Sequence, residues 1–474
     1  LSDRHASVYL ASRATSAIIN LVSVSIFTRM TSAEVYGQYI VGFSICMMVY
    51  SLGVQWIVFA HFGRYDPKEA DRLAGALLLV SGVVMLPAIG FIYLFYLFGT
   101  LHADVAVSSS LLVVCFTLYF VAVEISRAHL LVRLVAIATI ARAVFSLLFG
   151  YIAVLEFDTP GALLAGVGLG YALGSVPVFR HFSRTIWASG FVWPRASDVR
   201  RMWRYGWPLA IAFGASAAAM NVDRLLLAGL YNTSTVAPYG TVLDLMKQTF
   251  LVLAEAISAG YISSAKNLHA EGNGTEARHT LKRAFITHCY IVIFGTASFI
   301  LLGDVIFGIL LAPSYLPVVT QIMPILLVAN AILVMRAHYF GQIIYFSGTT
   351  NLELVASVAM LAVTGTLSYL LIPSYAAMGA AIAFTLGQAA ALLICLVYAS
   401  GNLRMPLDLP RGGLLLVLGI AVVAVGKGVQ FLAEEPTASA ISFVLIASAS
   451  AFIALRWNLF DARSLLLRFY PRRG

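Results

Sequence analysis

Long apolar runs alternate with short polar breaks along the whole chain, and the runs have the length of a membrane crossing. An α-helix needs about 20 apolar residues, at ~1.5 Å rise each, to span ~30 Å of hydrocarbon. Such runs recur at roughly 7–30, 37–61, 73–98, 105–126, 134–155, 160–181, 206–230, 238–262, 284–311, 318–345, 351–372, 375–399, 412–433 and 438–456. The pattern predicts an all-α polytopic membrane protein of about 14 transmembrane helices. The first run lacks a basic n-region followed by a short apolar stretch and a small-residue cleavage site, so it is expected to be a retained span.

That first run is polar for a helix facing lipid. Between Arg13 and Arg29 it carries Ser16, Asn20, Ser23 and Ser25, groups that suit a wet cavity handling an anion. It closes on Thr28, Arg29, Tyr36 and Gly37, and Asn232 to Gly240 repeats that ending after Asp223 and Arg224. Further echoes keep their order. Leu134-Val135-Ala136 matches Leu354-Val355-Ala356, and the small-residue run Gly161 to Gly174 matches Gly379 to Gly387. A two-fold repeat of six spans each is therefore expected, with two spans appended. The divisions are 1–181 for an N-terminal six-helix lobe, 182–205 for an amphipathic linker, 206–399 for a C-terminal six-helix lobe, and 400–474 for two extra helices and a basic tail. Gly166, Gly170 and Gly174 fall on one helix face inside an apolar run, which points to close helix packing rather than to a nucleotide loop.

Composition and charge narrow the class. With 61% hydrophobic and 11% charged residues, the chain is no ordinary soluble domain. Outside the spans, every Lys and Arg lies at Arg4, in 62–72, 127–133, 180–204, 263–283 and 400–411, or after 455; the alternate connections hold none. Such alternation places both termini in the cytoplasm. It also assigns the net charge of +9 to anionic headgroups, so no nucleic-acid partner is expected. The linker interleaves Trp187, Phe191, Trp193 and Trp203 with Arg184, Arg195, Arg200 and Arg201, a composition suited to the headgroup layer. Cys46, Cys115, Cys289 and Cys395 are scattered through apolar runs without ligand spacing, so free thiols and no metal are expected. The sequons at Asn232 and Asn273 are discounted as chance patterns.

Seven cations lie within spans: Arg13, Arg29, Arg142, Arg224, Lys247, Arg336 and Lys427. A charge at the bilayer centre costs about 2.5–3.5 kcal/mol on insertion scales, so such groups usually face a protein interior or a cavity. Arg13 and Arg29 lie near span ends, where snorkelling is an equal explanation. Arg142, Lys247 and Arg336 are too deep for that. Lys427 is as deep, but outside the repeat. The deep acids are Asp223, Asp244 and Glu255.

The segment TRMTSAEVYGQY, Thr28 to Tyr39, resembles the TR–loop–YG–Y signature of bacterial polysaccharide flippases of the multidrug/oligosaccharidyl-lipid/polysaccharide exporter superfamily. NVDRLLLAGL, Asn221 to Leu230, is similar to the start of that family's second lobe. LAPSYLPVVTQIMPIL, Leu311 to Leu326, is similar to its ninth-to-tenth helix passage. One departure is Gly260 to Ser264, where relatives often have a proline. The resemblance covers essentially the whole chain. It implies transfer of an undecaprenyl-diphosphate-linked oligosaccharide from the inner to the outer leaflet of the bacterial plasma membrane, by alternating access around a cationic central cavity.

Arginines can replace the hydration of a diphosphate with charge-assisted, bidentate hydrogen bonds. The expected substrate-binding residues are accordingly Arg13, Arg29, Arg142, Arg224, Arg336, Lys247, Asn20 and Asn221. Asp223, Asp244 and Glu255 are the candidate ion-coupling residues, for a proton or sodium. No covalent chemistry and no cofactor are expected. Membrane lipids, a polysaccharide polymerase and a co-polymerase are candidate partners. A lipid II-type flippase or a cation-coupled drug antiporter of the same superfamily is the alternative, although an antiporter for cations calls for an acidic cavity. A membrane glycan polymerase ranks last, because the outer connections are too short to hold a catalytic domain.

Overall fold

The protein is described by a computed structural model covering residues 3–63, 69–189, 193–347, 351–399 and 405–459. All regular structure among these residues is helical. The chain opens with α1 (Asp3–Met30) and α2 (Ala33–Tyr50), which runs through one π turn (Ser51–Gln55) into α3 (Trp56–Gly63). Four long helices follow: α4 (Ala70–Leu97), α5 (Ala103–Ala128), α6 (Val132–Phe157) and α7 (Pro160–Ser189). Next come α8 (Ala196–Ala219), α9 (Val222–Leu230), α10 (Thr233–Ala270) and α11 (Gly274–Leu310). The helix α12 (Leu316–Val334) passes through a π turn (Met335–Tyr339) and a 3₁₀ turn (Phe340–Ile343) into α13 (Ile344–Ser347). The last three are α14 (Asn351–Ala399), α15 (Leu409–Leu432) and α16 (Thr437–Arg456).

Each of the fourteen apolar runs read from the sequence coincides with helix. By length and composition alone, 10 helices among the described residues suffice to cross a membrane, or 11 counting a bent pair. The difference has physical causes. The 49-residue α14 holds two of the expected runs, divided at Ala376, whose φ of 48° breaks the helix just after Pro373. The seventh run is a broken span: the end of α8 meets α9 at 46°. Both α1 and α10 fall outside the apolar set, and they are the helices interrupted by Arg13, Asn20 and Arg29, and by Asp244, Lys247 and Glu255.

By contact, the chain forms two compact units. The first comprises Leu1–Thr241, Leu310–Tyr315 and Leu361–Ala383; the second comprises Val242–Ile309, Leu316–Met360 and Phe384–Gly474. This is a division by contact, whereas the lobes expected at 1–181 and 206–399 are a proposal from the sequence repeat alone.

Most of the segment between the sixth and seventh runs is helical, as the end of α7 and the start of α8. Arg195, Arg200 and Arg201 are exposed there, as are Trp193 and Trp203. Asp198 is buried, and its Oδ2 lies 3.0 Å from Arg72 Nε on α4. Trp203 meets Trp56 edge-on at 5.4 Å. Phe191, the side chains of Arg4, Arg184 and Trp187, and the tail beyond 459 lie outside the described residues.

Candidate functional site

In the first unit the site grows from a glycine face. Gly166, Gly170 and Gly174 on α7 lie directly against α6; a Cβ at Gly174 would stand 2.7 Å from Arg142 Cβ and 2.9 Å from its Cα. This contact of small residues brings the two backbones together and fixes where Arg142 leaves α6. On its other side α6 receives Phe27 of α1 against Gly150, where an added Cβ would stand 2.5 Å from the ring. Arg142 Nη2 then donates to Ser16 Oγ on α1 at 2.8 Å. Its guanidinium carbon lies 4.9 Å from the Tyr171 ring centroid and 5.9 Å from that of Tyr119. Those two rings meet edge-on at 5.4 Å. Aromatic faces stabilise a guanidinium without neutralising it, so Arg142 keeps its positive charge in an aromatic setting.

The other residues of this unit divide by role. Arg29 is exposed; its Nη1 donates to Ser25 Oγ at 3.2 Å and its Nη2 to the Leu311 carbonyl at 3.3 Å. Arg13 and Asn20 are half-buried on α1. The two echoed segments share one construction. Ser32 Oγ accepts from the Val35 N–H at 3.2 Å, and Asn232 Oδ1 accepts from the Thr235 N–H at 2.8 Å, each capping the helix that follows. Gly37 lies against Thr233, and a Cβ at Gly240 would stand 3.0 Å from Ile40. Asp223 and Arg224 are tucked against this crossing and are buried. The Tyr239 hydroxyl donates to Asp223 Oδ2, and Arg224 Cζ lies 3.8 Å from the Cβ position of Gly240. Asn221 sits at the α8–α9 break. Its own N–H bonds the Ala218 carbonyl at 3.1 Å, so the Ala217 carbonyl loses its helical partner, and Asn221 Nδ2 replaces it at 2.8 Å.

The second unit carries the remaining two cations of the expected set. Lys247 on α10 is buried, with Nζ 4.6 Å from the Phe384 ring centroid. Arg336 occupies the π turn that follows α12 and is 4% exposed. Its Nε donates to Gln388 Oε1 at 3.1 Å, and its Nη1 lies 3.9 Å from Glu353 Oε1. A π turn shifts the helical register by one residue and often marks a functional position; here it directs Arg336 toward α14. In the same turn the His338 carbonyl accepts from Ser258 Oγ at 2.8 Å, and Ser258 Oγ also lies 3.2 Å from His288 Nε2. Asp244 and Glu255 are exposed.

Several partners are invisible as motifs. Tyr119, Tyr171, Glu353, Gln388 and Phe384 lie far in sequence from the cations they meet. The available signal was their being polar or aromatic groups beside small-residue runs, as Tyr171 is between Gly170 and Gly174.

Helical architecture of this kind, with basic side chains set inside apolar helices, is that of a multi-pass membrane protein. Its fold is that of the lipid II flippase MurJ in an inward closed conformation, with a TM-score of 0.75 at 11% identity, covering 97% of this chain and 99% of that one. An inward-facing multidrug resistance MATE family transporter of the MOP superfamily matches with a TM-score of 0.58 at 15% identity, over 81% of this chain and 97% of the other. The chain belongs to the polysaccharide biosynthesis protein family, whose model matches residues 3–259. A curated relative, capsular polysaccharide biosynthesis protein CapF of Staphylococcus aureus, is 22% identical over 187 residues, or 39% of this chain. The chain spans about half, 46%, of the length of that relative.

Proposed function

We propose that this protein is a flippase that carries an undecaprenyl-diphosphate-linked oligosaccharide from the inner to the outer leaflet of the bacterial inner membrane, for polysaccharide assembly. The observation that carries the proposal is the placement of three arginines within membrane-spanning segments of a polysaccharide biosynthesis family member, Arg224 and Arg336 buried and Arg142 half-buried. Each cation costs about 2.5–3.5 kcal/mol to place at the bilayer centre, a cost that an anionic cargo offsets. Arg142 is held by neutral groups, Ser16 and two tyrosine rings, and Arg336 by neutral Gln388 with the Glu353 carboxylate 3.9 Å away. Diphosphate oxygens can exchange with such partners, because a guanidinium offers a planar fork that matches two of them.

Translocation breaks no covalent bond, so binding, charge and two alternating states are sufficient. Arg13, Arg29, Lys247, Asn20 and Asn221 complete the substrate-binding proposal, and Asp223, Asp244 and Glu255 the coupling proposal for a proton or sodium. A polymerase and co-polymerase are the proposed receivers of the product. The test is glycan export in a strain lacking this protein, complemented with Arg142→Ala, Arg224→Ala or Arg336→Ala and normalised to membrane levels. Each variant is expected to be inserted and inactive; wild-type export by all three overturns the proposal.

A further inference from the structure

A hydrogen-bonded chain in the second unit ends on the π turn that carries Arg336. It starts on α11, where the His288 side chain is fully buried. His288 Nδ1 lies 2.8 Å from the Ala284 carbonyl; a carbonyl only accepts, so Nδ1 carries a proton. Nε2 faces Ser258 Oγ on α10 at 3.2 Å, and the Ala254 carbonyl of that helix also faces the ring. Ser258, itself buried, donates its hydroxyl proton to the His338 carbonyl at 2.8 Å. Two successive carbonyls of the turn thus accept from side chains, since that of Ala337 accepts from Gln342 Nε2 at 2.7 Å. The donor that reaches the turn from another helix is Ser258.

A hydroxyl has one proton to give. When His288 is neutral, Nε2 is an acceptor and competes with the His338 carbonyl for that proton. When Nε2 gains a proton of its own it becomes a donor to Ser258 Oγ, and the serine proton goes to the carbonyl alone. A buried imidazolium needs an acceptor at each nitrogen. His288 has them, in Ala284 on one side and in Ser258 and Ala254 on the other. The distances fit this second arrangement, because Ser258 Oγ lies nearer the carbonyl than the imidazole. Other titratable groups surround the ring. His338 and Tyr339 belong to the turn, the Tyr339 ring centroid being 6.2 Å from that of His288. Glu255 on α10 and Arg336 face His338, and Cys289 on α11 faces Tyr339. Arg283 precedes them on α11, over the Tyr261 ring, while Asp408 and Arg411 at the start of α15 pair with each other. His288 is the ring whose nitrogen meets the hydroxyl of Ser258.

We propose that His288 is a proton-binding site that, through Ser258, tightens the π turn carrying Arg336 when protonated and loosens it when neutral. Its bearing on export rests on the transport reading above, because that turn places Arg336; the switch itself needs no cargo. The experiment is hydrogen–deuterium exchange of the full chain in detergent, read on the backbone amides of 335–343. It is run between about pH 5 and 8, the range in which histidine changes charge, with each rate divided by the intrinsic rate at that pH. In wild type, protection is expected to fall about two- to tenfold from the acid to the alkaline end, the factor of one hydrogen bond. Ser258→Ala and His288→Gln are expected to remove this pH dependence. His338→Gln is expected to retain it, since the group that Ser258 engages there is the backbone carbonyl. Ser258→Ala removes a single oxygen, so it keeps the test meaningful where His288→Gln fails to fold. Wild-type protection that does not vary with pH, or a dependence undiminished in Ser258→Ala, overturns the proposal. Loss of the dependence in His338→Gln assigns the proton to His338 and overturns the assignment to His288. No cargo enters the measurement, so its failure leaves the export test of Arg336→Ala untouched, and failure of that test leaves the switch standing.

Discussion

Arg336 offers the most direct separation of a binding role from a structural one. Replacing it with alanine leaves Gln388, which is fully buried, without the donor now 3.1 Å away. A hydrogen bond to a charged group contributes about 1.5–3 kcal/mol. Glu353 adds little, because the contact is 3.9 Å long and its side chain is 34% exposed, a setting in which ion pairs contribute about 0–1 kcal/mol. Arg336→Ala should therefore destabilise the protein by about 1.5–3 kcal/mol, measured by SDS-induced unfolding in mild detergent. The double variant Arg336→Met, Gln388→Leu removes both partners and keeps apolar volume, so its stability should return to within about 1 kcal/mol of wild type. Export should be lost in both variants if the guanidinium holds the diphosphate. Arg336→Lys should export weakly, since a compact ammonium lacks the planar fork. Normal export by the stable double variant would show that Arg336 serves only the fold, and the anion-binding argument for this unit would fail.

Four further outcomes follow from the same geometry. Arg142→Ala should abolish export and loosen the α1–α6 contact by about 1.5–3 kcal/mol, the range for a hydrogen bond to a charged group, whereas Arg142→Lys should retain part of the export; a fully active alanine variant refutes the role. Gly174→Val should press α7 away from Arg142, costing about 1–3 kcal/mol as overpacking does, and reduce export through the displaced arginine; unchanged unfolding in SDS would contradict the close approach. Asp223→Asn keeps an acceptor for Tyr239, so it should fold, while the set Asp223→Asn, Asp244→Asn and Glu255→Gln should contain a variant whose vesicle transport ignores an imposed proton or sodium gradient; if none does, the coupling site lies elsewhere. For topology, Asn232→Cys should react with an impermeant thiol reagent added outside intact cells and Asn273→Cys should not, and the reverse pattern would invert the orientation.

The membrane character, the places of the fourteen apolar runs and the polar nature of the first helix were legible in the sequence, because hydrocarbon imposes a length and a composition on each crossing independently of its neighbours. So was the glycine face of α7, since small residues at four-residue spacing serve mainly to bring helices together. The echo of Tyr36-Gly37 in Tyr239-Gly240 was legible as a repeat, but the packing of the two copies, Gly37 on Thr233 and Gly240 on Ile40, was not. Tertiary structure alone decided what each charge within a span meets. Arg142 reaches Ser16 and Tyr171, and Arg336 reaches Gln388 through a π turn that no local pattern announces. The same holds for Asp223, a deep acid by position but a hydrogen-bond acceptor for Tyr239 by geometry, and for Asp244 and Glu255, which are exposed. Periodicity records which residues share a helix face; the rotation of that face toward a neighbour is set by side chains distant in sequence, which meet only once the helices pack.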